Sequence, residues 1–421
     1  MSTDVTEFIR TRLSARGGRD DVIKEILMSD MPTPGGDATR APAVPRSLFR
    51  RSVRIAALGL LALLVLTAAF ALYSRLWPAG RGVGRECELT SGVHAVCGLN
   101  KPEDLLRLGD SDWVVTGNMG NDDWAGGGFH AVRMGDESFR ALSPELSRPV
   151  APTYRDCPGA PDPKLLSAHG IALRARADGA HTLYAVNHGG RESIEVFDVR
   201  VSAEGPALTW TGCVVLPAEH EANSVAPLPD GGIVVTIPHL PSSSQGAVLR
   251  WGPDGGWTEV PGTRFQGDNG ILVSPDGTRL YVNEYFNNRV HEVPLGGAAT
   301  SLRSVHLGFH PDNIRFAPDG SLLATGHPNY LAVVGLCGFF LRCGIGTEVA
   351  RIDPTTFQAT TLFERGANET FSAGTSAIVV GDELWIGSFV SRSLLVVPLS
   401  ELKQPLGARM KHPPPDGATP P

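Results

Sequence analysis

The sequence is poor in charged residues and in aromatic residues, and these shortages exclude several classes of protein. Charged residues make up 19% of the 421 positions, and aromatic residues make up 7%. No stretch carries the dense like charge of a solvated, disordered block. The formal net charge is -7 and no stripe of basic residues is present, so the sequence argues against a nucleic-acid-binding protein.

Cysteine is also missing from the N-terminal part of the chain. All six cysteines follow a long apolar run, at Cys87, Cys97, Cys157, Cys213, Cys337 and Cys343. An even number on one side of such a run is typical of disulfides in an oxidising compartment. The spacing leaves the pairing open, although Cys87 with Cys97 and Cys337 with Cys343 are the obvious local pairs. None of them has the Cys-x-x-Cys spacing of a zinc site.

The apolar run itself predicts a membrane-spanning helix. Residues 55–73 contain no charged side chain, and 19 residues are about enough to cross the hydrocarbon layer. The basic residues just before the run are Arg46, Arg50, Arg51 and Arg54. Because the more basic flank stays in the cytoplasm, we expect the C-terminal part to lie outside it, in the periplasm or the extracellular space. A cleaved signal peptide is the alternative, but the run begins far from the N-terminus.

The sequence predicts four segments in this single-pass membrane protein. Residues 1–54 form a cytoplasmic arm, partly disordered because residues 32–45 are rich in proline, glycine and alanine. Residues 55–75 form the transmembrane helix. Residues 85–401 form one folded domain, and residues 402–421 form a disordered tail that ends in a proline-rich sequence. The function of the arm and its protein partners are left open.

What the folded domain does contain is a repeat of short strands. The chain has 49 glycines and 33 prolines, which suits many strands joined by tight turns. An Asp- and Gly-rich turn followed by a short apolar strand recurs along the domain, and the central strand residues are Trp113, Tyr184, Val234, Tyr281, Leu323 and Trp385. Their spacing, with steps in the forties and longer steps that leave room for loops, is typical of four-stranded propeller blades. The sequence therefore predicts an all-β, six-bladed β-propeller, with a β-sandwich as the structural alternative.

Polar residues recur at similar places in several of these predicted blades. The sequences FQGDNGILVSPDG and FHPDNIRFAPDG both place Asp-Asn shortly before an apolar strand and a Pro-Asp-Gly turn. Each pair alone is an ordinary turn sequence. Propeller blades converge on a central channel, however, so oxygen-bearing side chains from separate blades can meet there. Carboxylate and amide oxygens together favour calcium over zinc or copper.

At these residues the sequence resembles the paraoxonase family of calcium-dependent lactonases and arylesterases. That family is a branch of the six-bladed propellers related to gluconolactonases and strictosidine synthase. The resemblance covers roughly residues 98–400. It is carried by GLNKPEDLLRL, SAHGIAL, YAVNHGGRESIEVFDV, EANSVAPL, DNGILVSPDGTRLYVNE, HPDNIRFAPDG and GTSAIVVGDELWIGSF.

The resemblance implies a set of site residues. The catalytic calcium ligands would be Glu103, Asn223, Asn269, Asp312 and Asn313. The catalytic histidine pair would be His169 and His188, and His327 matches a further pocket histidine. Asp104 and the backbone carbonyl of Ile171 would hold a second, structural calcium.

Two departures from the family pattern affect these expectations. Ser224 stands where the family has an acidic residue that helps to hold the structural calcium, which puts the second ion in doubt. No cysteine follows Cys343, so the disulfide by which the family closes its first and last blades is absent. Strand pairing must then close the ring.

The implied function is hydrolysis of a small lactone or aryl ester. Calcium would polarise the carbonyl group and the histidine pair would activate water. No Gly-x-Ser-x-Gly sequence offers a competing serine nucleophile. The alternative is a non-catalytic propeller, stabilised by calcium, that binds a ligand or a protein. A gluconolactonase-like sugar lactonase is a third possibility, against which the histidine pair argues mildly.

Overall fold

The computed structural model describes residues 56–69, 92–120, 126–296, 302–329, 344–368 and 370–406. The predicted cytoplasmic arm, residues 1–54, lies outside these ranges, as does most of the predicted tail. The predicted local disulfide pairs also include residues outside them, namely Cys87, Cys337 and Cys343.

In the part of the chain that the structure describes, the folded domain has 24 strands in six antiparallel sheets of four strands each. The first blade contains β2 (Pro102–Arg107), β3 (Trp113–Asn118), β4 (Gly128–Arg133) and β5 (Phe139–Leu142). The second blade contains β6 (Ala168–Ala175), β7 (His181–Asn187), β8 (Ser193–Ser202) and β9 (Gly205–Val215). The third blade contains β10 (Val225–Pro227), β11 (Ile233–Ile237), β12 (Ala247–Gly252) and β13 (Gly256–Glu259).

The remaining blades continue in chain order. The fourth contains β14 (Asp268–Val273), β15 (Arg279–Glu284), β16 (Arg289–Pro294) and β17 (Arg303–His306). The fifth contains β18 (His310–Phe316), β19 (Leu322–His327), β20 (Thr347–Ile352) and β21 (Ala359–Arg365). The sixth contains β22 (Gly374–Val380), β23 (Glu383–Ser388), β24 (Ser393–Pro398) and β1 (His94–Cys97). Two short 3-10 helices follow β5 and β24, at Pro152–Tyr154 and Leu399–Glu401.

The predicted six-bladed propeller is therefore confirmed, and so is the position of each repeat. All six central residues lie on the second strand of a blade, on β3, β7, β11, β15, β19 and β23. Most of them are fully buried, as Trp385 and Val234 are, because the second strand packs against neighbouring blades on both faces. Apolar, β-branched and aromatic residues suit such strands.

The ring closes by strand pairing, as expected from the missing disulfide. β1 pairs antiparallel with β24, and His94 lies opposite Val396 while Cys97 lies opposite Ser393. The first described strand of the domain thus completes the last blade. Val96 and Val396 belong to the same apolar cluster, which also includes Trp385.

One disulfide that the sequence left open joins Cys157 to Cys213. It ties the segment after the first blade to β9, the outer strand of the second blade. Cys157 and Cys213 are both buried within the largest apolar cluster of the domain. Cys97 is also disulfide-bonded.

The predicted membrane-spanning segment is described only over residues 56–69, which form a helix with exposed side chains. Among the described residues, no helix combines the length and the apolar character needed to cross a membrane. The transmembrane helix predicted over residues 55–75 is thus not confirmed.

Candidate functional site

The innermost strands carry β-bulges at the places where the candidate residues lie. The register shifts on β2, β6, β14, β18 and β22 fall between Pro102/Asp104, Ala168/Ile171, Asp268/Ile271, Pro311/Ile314 and Gly374/Ala377. A bulge leaves a residue outside the ladder and redirects its side chain. The residues inside these bulges include Glu103, His169, Asn269 and Asp312.

Glycines in two of the bulges let adjacent blades approach closely. A Cβ added to Gly170 would lie 2.6 Å from the carbonyl oxygen of Asn223, and one added to Gly270 would lie 2.6 Å from that of Asp312. Real Cβ atoms do not come so close to backbone, so only glycine fits. Because these two glycines have no side chain, the inner strands of neighbouring blades can lie close together around the channel.

Side chains from non-adjacent blades meet at the centre. The amide Nδ2 of Asn313, in the fifth blade, donates a hydrogen bond of 2.5 Å to Glu103 Oε1, in the first blade. Because the sixth blade separates these two, this contact must cross the channel. Asn269 also makes a side-chain hydrogen bond to Asp312. Asn223 contacts the second blade through its backbone, because its carbonyl oxygen accepts a 3.2 Å hydrogen bond from Gly170 N.

Four oxygens of this set are buried without a hydrogen-bond partner. They are Glu103 Oε2, Asn223 Oδ1, Asn269 Oδ1 and Asn313 Oδ1. Buried polar atoms in folded proteins nearly always have a partner, so such a group needs an explanation. All four are acceptors, and only a donor or a cation can satisfy them.

The two carboxyl groups among the predicted calcium ligands, those of Glu103 and Asp312, both have raised pKa values. Burial raises the pKa of Glu103 well above its usual range, and the charges of Asp104 and Asp312 raise it further. Burial, together with the charge of Asp104, raises the pKa of Asp312 to about 8. Both shifts mean that negative charge at this place is poorly compensated by the protein alone.

These residues fit a calcium ion in their donor chemistry. Calcium takes carboxylate and amide oxygens, with six to eight ligands in all. In the described part of the chain no group of three or more His, Cys, Asp or Glu side chains could hold a metal ion. The candidate set contains only two carboxylates, so any ion held here would depend on three asparagine oxygens.

The two predicted histidines lie in direct contact beside this cluster. His169 Nδ1 and His188 Nε2 are 2.9 Å apart, and His169 Nε2 lies 3.8 Å from Glu103 Oε1. Burial lowers the pKa of His169 well below its usual value, and His188 lowers it further. His169 is therefore neutral at pH 7 and can accept a proton.

His327 lies at the end of β19 on the other side of the cluster. Its Nδ1 lies 2.9 Å from the hydroxyl of Tyr285 and 3.8 Å from Asp312 Oδ2. Its ring meets the ring of Phe389 edge to face, with centroids 5.6 Å apart. Burial lowers the pKa of His327 to about 4, so the imidazole is neutral at pH 7. The predicted pocket position is thus apolar on one side and polar on the other.

The place expected for a second, structural calcium is taken by a guanidinium group. Arg315 Nη2 donates to Asp104 Oδ2 and, at 2.8 Å, to the carbonyl oxygen of Ile171. Arg315 Nε also donates to the carbonyl oxygen of Leu105 at 3.1 Å. Asp104 and Ile171 therefore have a cationic partner already, and a metal ion does not fit between them. The expectation of a second ion is corrected accordingly.

Sequence reasoning missed the residues of the sixth blade. The hydroxyl of Thr375 donates a 2.5 Å hydrogen bond to the backbone carbonyl of Glu103, and the buried hydroxyl of Ser376 has no partner. Both lie in the bulge of β22. The GTSAIVV sequence has in β22 the frame that DNGILV has in β14, and this likeness is the sequence signal that could have found both residues.

Comparison with known proteins agrees with the predicted superfamily. A family model described as the SMP-30/Gluconolactonase/LRE-like region matches residues 164–361, from just before β6 into β21. The resemblance to gluconolactonase-related propellers is thus confirmed, whereas the closer resemblance to paraoxonases stays a prediction. None of the curated proteins matches the chain in sequence.

Several solved structures are similar to this chain at low identity. A luciferin-regenerating enzyme is 13% identical, with a TM-score of 0.45 over 76% of this chain and 99% of its own. A gluconolactonase from Xanthomonas campestris is 15% identical, with a TM-score of 0.44 over 76% and 97%. A calcium-binding regucalcin from Agrobacterium tumefaciens is 14% identical, with a TM-score of 0.43 over 76% and 93%.

Proposed function

We propose that this gluconolactonase-like propeller hydrolyses small lactones or aryl esters with the help of one calcium ion. One observation carries the proposal. Four of the predicted ligand residues have a buried oxygen without a partner, and Nε2 of His169, in the histidine pair, lies 3.8 Å from Glu103. Oxygen acceptors alone would indicate only a metal-binding site. The neutral histidine beside them can also take a proton from water, which hydrolysis requires.

The ion would be held by the central oxygen set, which comprises Glu103, Asn223, Asn269, Asp312 and Asn313. When bound, calcium acts as a Lewis acid that polarises a carbonyl group and stabilises negative charge on its oxygen. The remaining chemistry belongs to the side chains. The ring of His327 and its neighbour Phe389 give the acyl or aryl group an apolar wall.

His169 serves as the general base of the proposed reaction. Its Nε2 takes a proton from water as the water attacks the carbonyl carbon, and His188 supports the positive charge that develops on the imidazole. The lowered pKa of His169 keeps the imidazole neutral at pH 7, so that its Nε2 lone pair is free of a proton. General-base help of this kind contributes about 100- to 10,000-fold.

The proposal is tested by assaying the full chain with an aliphatic lactone and an aryl acetate, with calcium and with a chelator. We expect turnover only with calcium. Glu103→Gln should lower kcat/KM about 100-fold or more and weaken calcium binding measured by calorimetry. The matched control is Glu259→Gln on the exposed end of β13, which should change neither. Calcium binding without turnover of either substrate would sink the hydrolase and favour the calcium-stabilised binding module.

We also propose that the propeller works in an oxidising, extracytoplasmic compartment, anchored through the segment at residues 55–75. The Cys157–Cys213 disulfide supports the compartment, because structural disulfides persist where thiols are not kept reduced. The basic residues before residue 55 support the orientation. A reporter fused after residue 100 that is active only in the cytoplasm would contradict the proposal.

A further inference from the structure

The histidine pair continues into a third residue that sequence reasoning did not select. Glu192 lies in the short loop between β7 and β8, and its carboxylate faces the far side of His188. His188 Nδ1 is 2.9 Å from Glu192 Oε2 and 3.1 Å from Glu192 Oε1. The three side chains thus form a row from Glu192 through His188 to His169.

The loop that carries Glu192 is held by its own hydrogen bonds. The side chain of Asn187, which is fully buried, donates to the carbonyl oxygens of Gly189 and Arg191, each at 3.0 Å. The residue just before Glu192, Arg191, donates to the buried Glu195 at 2.9 Å and 2.7 Å. The loop therefore presents the Glu192 carboxylate to His188, while the neighbouring guanidinium is paired elsewhere.

The chemistry of the three groups fixes where the protons lie. An ionised carboxylate only accepts hydrogen bonds, so a hydrogen bond to Glu192 requires a proton on His188 Nδ1. In a neutral His188 the Nε2 atom then has a lone pair and accepts a hydrogen bond from the Nδ1–H group of His169. His169 Nε2 is left with its lone pair directed to the side where Glu103 lies.

We propose that Glu192 is a positioning residue that fixes the tautomer and the orientation of His188, and through it those of His169. The inference rests on the proposed function, since it concerns the same histidines. The side chain of Glu192 is 30% exposed, while those of His188 and His169 are 7% and 13% exposed. The carboxylate thus lies at the solvent end of the row, and both imidazole rings are largely buried.

The tautomers are measured directly by two-bond 1H–15N correlation spectra of the full chain labelled at histidine nitrogens. Signals of His188 are assigned by their loss in His188→Gln. We expect neutral His188 to carry its proton on Nδ1, and His169 likewise. A proton on Nε2 of His188 in the unmodified protein overturns the inference, whether or not the protein hydrolyses lactones.

Variants of Glu192 supply the second readout. Glu192→Ala should lower kcat about 10- to 100-fold, with calcium affinity and KM nearly unchanged, and should mix the His188 tautomers. Glu192→Asp should restore part of the rate, because a carboxylate returns. Glu204→Gln, at the exposed end of the β8–β9 hairpin, is the control. Unchanged tautomers and kcat in Glu192→Ala would also overturn the inference.

The two proposals fail in different ways. If the unmodified protein hydrolyses no lactone or ester, the proposed function falls, while the nitrogen spectra still decide the role of Glu192. If the protein hydrolyses lactones and Glu192→Ala keeps full activity with folded spectra, the function stands and the positioning role falls.

Discussion

Arg315 is the residue that most clearly separates this propeller from one built around two metal ions. Its guanidinium is buried, at 2% exposure, and joins the first, second and fifth blades through Asp104, Ile171 and Leu105. A guanidinium cannot be removed by a chelator and does not lose its charge near neutral pH. The protein therefore carries its own covalently attached cation beside Asp104, the neighbour of the proposed calcium ligand Glu103.

Replacing Arg315 should destabilise the protein strongly. Arg315→Met leaves the Asp104 carboxylate buried without its cation, and breaking a buried pair in this way costs about 3–5 kcal/mol. Urea unfolding followed by tryptophan fluorescence measures the loss. Arg315→Met combined with Asp104→Leu should recover part of it, because the charge is then removed as well.

The exposed pair of Arg200 with Asp178 provides the control. Arg200→Met should change the free energy of unfolding by less than about 1 kcal/mol, because solvent screens this pair. An equally small loss in Arg315→Met and Arg200→Met would contradict the prediction, because the buried pair would then contribute no more than the screened one.

At the scale of single strands, the inner bulges determine which side chains reach the channel. The sequence predicted the second strand of every blade, because a strand buried on both faces is a recognisable run of apolar residues. It did not predict the bulges, since a bulge depends on how two strands pair, and the apolar pattern of a single strand does not record that pairing. The partners of Arg315 show the same limit, because Asp104 and Ile171 lie 211 and 144 residues away in sequence.

Gly270 tests whether close approach of the blades builds the site. A Cβ at this position meets the backbone of Asp312, Asn313 and Ile314 within 2.6–2.9 Å, and backbone cannot move aside cheaply. Gly270→Ala should therefore lower stability by about 1–3 kcal/mol and weaken calcium binding. Calorimetry and urea unfolding measure the two effects.

Gly308 offers the matched substitution outside the bulges. No atom lies within 4 Å of a Cβ added there, so Gly308→Ala should leave calcium affinity and stability nearly unchanged. A Gly270→Ala protein that binds calcium as tightly as Gly308→Ala would show that blade spacing does not set the site.

For the whole molecule, stability depends on the pairing of β1 with β24. Ala95 lies opposite Leu395 in the middle of this ladder and is buried. Ala95→Pro should weaken the closure, since proline has no backbone N–H and its ring crowds a buried position of the β1–β24 pair. We expect a lower unfolding midpoint and a less cooperative transition when tryptophan fluorescence and circular dichroism are compared. Coincident transitions at the original midpoint would show that closure contributes little.

The same pairing sets an order of events during synthesis. β1 ends at Cys97, whereas its partner begins at Ser393, so the ribosome must make everything between them before the ring can close. At about 5–20 residues per second, the unpaired strand waits roughly 15–60 s. During that interval β1 has unpaired backbone N–H and C=O groups. Chaperones bind such exposed strands, and other chains can pair with them and aggregate. Among the described strands, β24 is the last to be translated, and its pairing with β1 ends this exposure.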